Sequence, residues 1–231
     1  MTELNKKIFD FYVNNSICGE YPPMFYGPIL NSYKILSLGL NPSLTNSAIE
    51  ELQEKKLLIK NFKTADKKKR NILIDAIITN QKKLKYGQNQ IPYFRSFEKF
   101  FENLEEGYNN FINDVFHYDL CQIRQTDSKV VIKQITEDPL LLDYLIKQLE
   151  YVIKILKPKI ILVFNASVSK ILKQRISFFS DRNLNYEHGC YFYKTTPVIC
   201  ANQLSGGATS GVYRDILIWN CTRLIRNLIE K

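Results

Sequence analysis

Hydrophobic and polar positions divide the chain into short apolar runs separated by longer stretches of helical period. Ile35 to Leu38 and Ile160 to Phe164 are near-continuous apolar runs, the mark of strands buried on both faces. Asp114 to Ile123, DVFHYDLCQI, reads as a further buried strand with a polar cluster of His117, Tyr118 and Asp119 inside it. Tyr191 to Cys200 reads as a hairpin strand feeding the last strand of the sheet. Helical periodicity fills the intervals. Residues 5–17 form a short amphipathic helix through Ile8, Phe9, Phe11 and Tyr12, and Ser47-x-x-Glu50 is a capping box opening a helix from Ala48 to Lys60. Lys67 to Arg70 open another helix with Ile72, Leu73, Ile77 and Ile78 as its apolar positions. Phe97, Phe100, Phe101 and Leu104 form the core stripe of the next, with Tyr93 and Phe94 at its loop-to-helix junction. Asp138-Pro139 supplies an N-cap and a first-position proline for a helix to Leu156, burying Leu142, Leu145, Leu149, Val152 and Leu156. Val168 to Arg175 and Tyr213 to Ile229 are the last helices, the latter turning Ile216, Leu217, Leu224 and Leu228 inward.

Strands alternating with helices predict an α/β fold, a three-layer αβα sandwich with a central, mostly parallel four-stranded sheet, as a single domain over 1–231. Crossovers of one hand place the strand C-terminal ends on one edge, where open α/β sheets bind ligands. Asn41, Asp119, Asn165 and Asn202 all lie at such ends and are expected to converge. The aromatic, proline-punctuated loop Tyr21 to Pro28 is either a connector over the sheet or a pocket wall for a planar ligand.

The first strand runs into Gly39-Leu-Asn-Pro-Ser43, where glycine permits close approach of the backbone and Pro42 fixes the chain just after Asn41. Ala201 to Gly211 is a small, polar, glycine-rich loop directly after the last strand. No Gly-x-Ser-x-Gly elbow, Walker-type Gly-Lys-Ser/Thr or evident nucleophile–base pair occurs, which disfavours acyl transfer and nucleotide hydrolysis. A set of carboxamides and hydroxyls remains, suited to holding a polar planar group and positioning a water.

Composition narrows this further. With 45% hydrophobic and 24% charged residues the chain has an ordinary globular make-up. Five cysteines, odd in number and without Cys-x-x-Cys, and two histidines without a ligand pair predict no disulfide framework, metal or cofactor. No apolar run has the length of a membrane span, and MTELNKKIFDFYVNN lacks a secretory pattern, so an intracellular, cytoplasmic or DNA-associated monomer is expected. The formal net charge of +9 favours a polyanionic partner, although a drift toward Lys, Ile and Asn contributes to it.

Through Gly39-Leu-Asn-Pro42-Ser43, Asp119 on the mid-chain strand, Asn165-Ala-Ser167 after the third and Asn202 before the closing helix, the chain resembles the uracil-DNA glycosylase superfamily across most of its length. The resemblance implies a DNA glycosylase that flips out a damaged, mismatched or modified base and hydrolyses its N-glycosidic bond. Asn in the first motif is similar to the mismatch-specific and single-strand-selective members, in which it orients the attacking water. Asn41 takes that role by resemblance, and Asn202, with Ser205, stabilises the anionic leaving base. Gly39, Leu40, Asp119, Tyr93, Phe94 and Asn165 are then base-binding, while Ser43, Ser205, Gly206, Gly207 and Thr209 hold DNA through a phosphate or a wedge loop. Two departures stand out. Asp119 occupies the place of a base-reading Asn, and Asn202-Gln-Leu-Ser205 lacks the proline of the last motif. An ionised carboxylate only accepts hydrogen bonds, so a cytosine-like or adenine-like amino group suits it better than a uracil edge. The departures also fit a catalytically weak or inactive DNA-binding protein on the same fold. A pocket for a free nucleobase or nucleoside is the third reading, distinguished by weak salt dependence.

Overall fold

The computed structural model describes residues 1–15, 17–86, 92–102, 114–175, 185, 189–201 and 211–229. Five strands, β1 (Ile35–Gly39), β2 (Val115–Asp119), β3 (Ile160–Val163), β4 (Tyr191–Tyr193) and β5 (Thr196–Cys200), form one sheet in the order β2-β1-β3-β5-β4. The first four in that order run parallel, and β4 lies antiparallel to β5 at the edge. Every residue of β1, β2 and β3 is buried, the outcome expected of apolar runs without alternation. The protein is therefore α/β with a mostly parallel sheet, but with five strands where four were expected. The hairpin's first arm is itself a strand, paired through Tyr191, Phe192 and Tyr193, and Lys194 turns the chain at a φ of 55°.

The helices are α1 (Glu3–Ile8), continued by a π-helical run Phe9–Asn14, α2 (Asn46–Glu54), α3 (Ile59–Thr64), α4 (Lys67–Tyr86) and α5 (Pro92–Glu102). They continue with α6 (Ser128–Glu137), α7 (Pro139–Leu156), α8 (Ala166–Arg175) and α9 (Gly211–Ile229). None of the described helices is long and apolar enough to cross a membrane. By internal packing the chain falls into two compact units.

The first unit comprises Met1–Pro28, Asn41–Gln88 and Cys121–Leu145. Its core includes Ile8, Tyr12, Phe25, Phe62 and Ile77, with the Phe25 and Phe62 rings stacked at 5.9 Å. The aromatic loop belongs to this core. Phe25 and Tyr26 are buried, and Asn5 pairs with Tyr26 through both its amide nitrogen, 2.7 Å from the carbonyl, and its oxygen, 2.9 Å from the N–H. Such pairing satisfies backbone groups that burial would otherwise strand without water. Two helix expectations change here. Thr45, not Ser47, caps α2, its hydroxyl accepting from Ala48 N at 3.3 Å. The helix stops at Glu54 because Lys56 adopts a φ of 54° and Leu57 turns into the core, so α3 is separate. In α4 Ile74, Ile77 and Gln81 are buried among the described side chains, whereas Ile72 is exposed. Asp66 caps that helix by accepting from Lys69 N at 2.8 Å, which places an acid beside the basic run at its start.

The second unit comprises Ile29–Leu40, Asn89–Leu120 and Ile146–Lys231, and holds the sheet. The α5 stripe is core as expected: Phe97 and Phe100 pack against Phe164, ring centroids 5.5 and 5.1 Å apart. The part of α7 in this unit buries Leu149, Val152 and Leu156; its start belongs to the first unit, where Asp138 caps Leu140 and Leu141 at 3.0 Å and Leu142 and Leu145 are buried. In α9 the buried stripe runs through Leu217, Cys221 and Leu224, and Ile216 faces out rather than inward.

Candidate active site

Strand order locates the site. The chain leaves β1 for β2 on one side and later returns to β3 on the other, so β1 ends at a topological switch point. Gly39 is its last residue, paired in register with Asp119, the last residue of β2, and Gly39 O accepts from Leu120 N at 2.9 Å.

Gly39 is required by its neighbours. A Cβ there would lie 2.5 Å from Asp119 Oδ1, closer than real Cβ contacts allow, and 3.0 Å from His117 Nε2, a tight contact. The missing side chain gives the Asp119 carboxylate its place over the end of β1. His117 and Asp119, two apart on one strand, share a face, and His117 Nε2 lies 3.5 Å from Asp119 Oδ1. On β1, Ser37 Oγ sits 3.1 Å from His117 Nδ1, so both ring nitrogens face a polar group. Both His117 and Asp119 are only 5% exposed and Ser37 is fully buried.

Aromatic rings close around the imidazole. Phe94, Tyr93 and Phe97 approach it edge-on, with centroids at 5.0, 5.6 and 6.1 Å. Among the described residues the buried Tyr93 hydroxyl has no hydrogen-bond partner. Burial raises its pKa above the ordinary phenol value, and the Asp119 charge adds to that rise. A neutral hydroxyl donor therefore sits in the field of a carboxylate acceptor, within an apolar surround that strengthens both interactions.

Asn41, the second residue after Gly39, belongs to the first unit. Its Nδ2 donates to Gln125 O at 2.9 Å and Pro42 O at 3.2 Å, while Gln125 N donates to Pro42 O at 3.2 Å. The Thr126 hydroxyl donates to Leu44 O in the same turn. Two carbonyl acceptors fix which end of the amide is nitrogen, leaving Oδ1 as an oriented acceptor that can hold a water by its O–H.

The remaining candidates fall as follows. Leu40 is buried between Gly39 and Asn41, and Ser43 is exposed. Asn165 follows β3 and caps α8, its Oδ1 accepting from Val168 N at 3.1 Å. Asn202, Ser205, Gly206, Gly207 and Thr209 lie outside the described residues. Thus Gly39, Asp119, Tyr93 and Phe94 are assembled within the second unit, and Asn41 is held by Gln125 within the first. Sequence reasoning passed over Ser37, although it is the single hydroxyl of the run ILSLG and stands two positions before Gly39, hence on the same strand face. Among the described residues no group of three or more His, Cys, Asp or Glu side chains is placed to hold a metal ion.

No protein-family model matches the chain and no curated protein matches it in sequence, so the geometry of these side chains carries the functional reading.

Proposed function

We propose that the protein is a DNA N-glycosylase built as a three-layer sandwich of the uracil-DNA glycosylase type, removing a base by hydrolysis of its N-glycosidic bond. The observation that carries this is the Gly39 gap, which sets a buried carboxylate, Asp119, at the C-terminal end of the parallel strands beside Tyr93 and Phe94. A flipped base needs a flat apolar wall, a polar edge reader and exclusion of water, and these residues supply each. Asp119 accepts a base N–H, the Tyr93 hydroxyl is available as a donor, and His117, held by Ser37, keeps the carboxylate oriented.

Asn41 orients the attacking water through Oδ1, its nitrogen being held by Gln125 and Pro42. Bond cleavage leaves positive charge on the sugar and negative charge on the departing base. Fixed dipoles that favour those charges are the protein's main contribution. By resemblance the loop containing Asn202 acts on the leaving base and Gly206, Gly207 and Thr209 on the backbone phosphate. DNA is the partner, consistent with the net charge of +9.

The test is release of base from oligonucleotides carrying uracil, mismatched thymine, hypoxanthine, xanthine or modified cytosine, read as alkali-labile sites. Asn41→Ala is expected to lower the rate on the cleaved substrate by about 100- to 1000-fold with binding retained. Unchanged release in the variant contradicts the role of Asn41. A second reading, a DNA-binding protein without turnover, is favoured by the capping role of Asn165 and gains ground if tight salt-sensitive binding occurs with no abasic product.

A further inference from the structure

A cavity of about 480 Å³ opens in the second unit beyond the end of β5, away from Asp119 in strand order. It is lined by Cys200 and Ala201 at the end of β5, by Ser169, Lys170 and Lys173 of α8 and by Tyr213 of α9. The volume is that of a small-ligand pocket. Among the described residues no carboxylate lines it, and Lys170 makes no ion pair. The Lys173 ammonium sits 4.9 Å from the Tyr191 ring centroid, and its charge is felt at Cys200. Two cations one helical turn apart beside small side chains favour an anion such as a phosphate.

The neighbouring helix decides what kind of phosphate. Tyr213 is 51% exposed and Trp219 63%; Trp219 shares an outward stripe of α9 with Val212 and Ile216, and Tyr213 projects about 120° around the helix from it. The Arg223 guanidinium lies 5.3 Å from the Trp219 ring centroid, extending the pattern of aromatic beside cation. Tyr213 and Trp219 are separated by about 9 Å along the helix axis, too far for one nucleotide's base to cover both. Exposed aromatic faces and cations distributed around one helix fit nucleotides of a flexible single strand that wraps it, because every base has a face to stack and every linkage has a phosphate to neutralise.

We infer that α8 and α9 form a track for single-stranded nucleic acid, with Lys170 and Lys173 binding a backbone phosphate in the cavity and Tyr213 and Trp219 stacking bases. This rests on the reading that the partner is a nucleic acid, and not on base excision.

The experiment is fluorescence anisotropy of labelled oligothymidylate, which carries no damaged base, against the full chain across a salt series. Lys170→Glu with Lys173→Glu is expected to weaken binding at least tenfold and to reduce the slope of log affinity against log salt by about 0.7, the share of one phosphate contact on a single strand. Tyr213→Ala and Trp219→Ala are each expected to weaken binding without changing that slope. All these side chains are at the surface, and thermal melting of each variant checks that it folds. Unchanged binding in the folded lysine variant overturns the track. So does equal competition by thymidine monophosphate at the same phosphate concentration, which would make the cavity a mononucleotide site. Because the probe has no excisable base, loss of the glycosylase reading leaves this result standing, and the reverse also holds.

Discussion

At the scale of single residues, the site depends on an atom that is missing. Gly39 is flanked by Asp119 Oδ1 and His117 Nε2, so Gly39→Ala forces either the carboxylate or the strand end to move. We expect a loss of about 1–3 kcal/mol in urea denaturation, the usual range for overpacking, together with loss of base release. A variant as stable and as active as the parent would show that Asp119 does not need that space. Gly39, Asn41 and Asp119 were legible in the sequence because each sits at the end of an apolar run, where an unexplained polar or glycine residue is conspicuous. Ser37 was not, since a lone hydroxyl inside a buried strand reads as packing until its neighbour across the ladder is known to be His117. Asn165 carried a signal that served two purposes equally, a strand-end carboxamide and a helix cap, and the hydrogen bond to Val168 N supplies the second.

At the scale of elements, capping and burial account for what the pattern did and did not predict. The Asp138-Pro139 start of α7 was unambiguous because cap, proline and leucine period agree. Removing one of these is expected to be measurable: Asp138→Ala should destabilise by about 1 kcal/mol and Leu149→Ala by about 2–5 kcal/mol in chemical denaturation. At α2 the sequence offers two hydroxyls, and only the backbone shows that Thr45 takes the cap. Thr45→Ala should therefore destabilise by about 1 kcal/mol, with Ser47→Ala nearly neutral; the opposite ranking would restore the capping box. Helix α6 went unpredicted because its apolar positions, Val131 and Ile135, are few and its neighbour's leucine run dominates the region. The edge strand β4 was legible as a hairpin arm but not as a fifth strand, since pairing partners are a tertiary property.

At the scale of the molecule, buried thiols couple stability to alkaline pH. Burial pushes Cys18 up to about 12, and Cys190 and Cys200 each up to about 11, from an ordinary value of 9.0. Unfolded thiols lose protons above that ordinary value while the folded ones keep theirs, so the unfolded state binds fewer protons and is favoured as pH rises. Their contribution is complete below pH 9.0 and is lost as pH rises toward about 11. The urea midpoint should fall over that interval, and less steeply in Cys190→Val; parallel slopes would deny the coupling. The α/β class followed from strand–helix alternation, which a single sequence displays well, whereas the switch point at β1 is a property of the strand order and so of the tertiary structure. The anion cavity beside α8 was not legible either, because Lys170 and Lys173 gain meaning only from the empty space between α8, β5 and Tyr213.

On the proposed reading Asp119 meets the edge of an extruded base, and exchanging its carboxylate for an amide probes that contact. Base release should be measured on single- and double-stranded oligonucleotides bearing amino-substituted or uracil bases, for the parent chain and for Asp119→Asn. An amide donates as well as accepts, so the variant should shift preference toward uracil by about 1–3 kcal/mol, roughly 5- to 150-fold, relative to an amino-bearing base. The same substrate profile in both proteins, or no base released by either, would contradict the account.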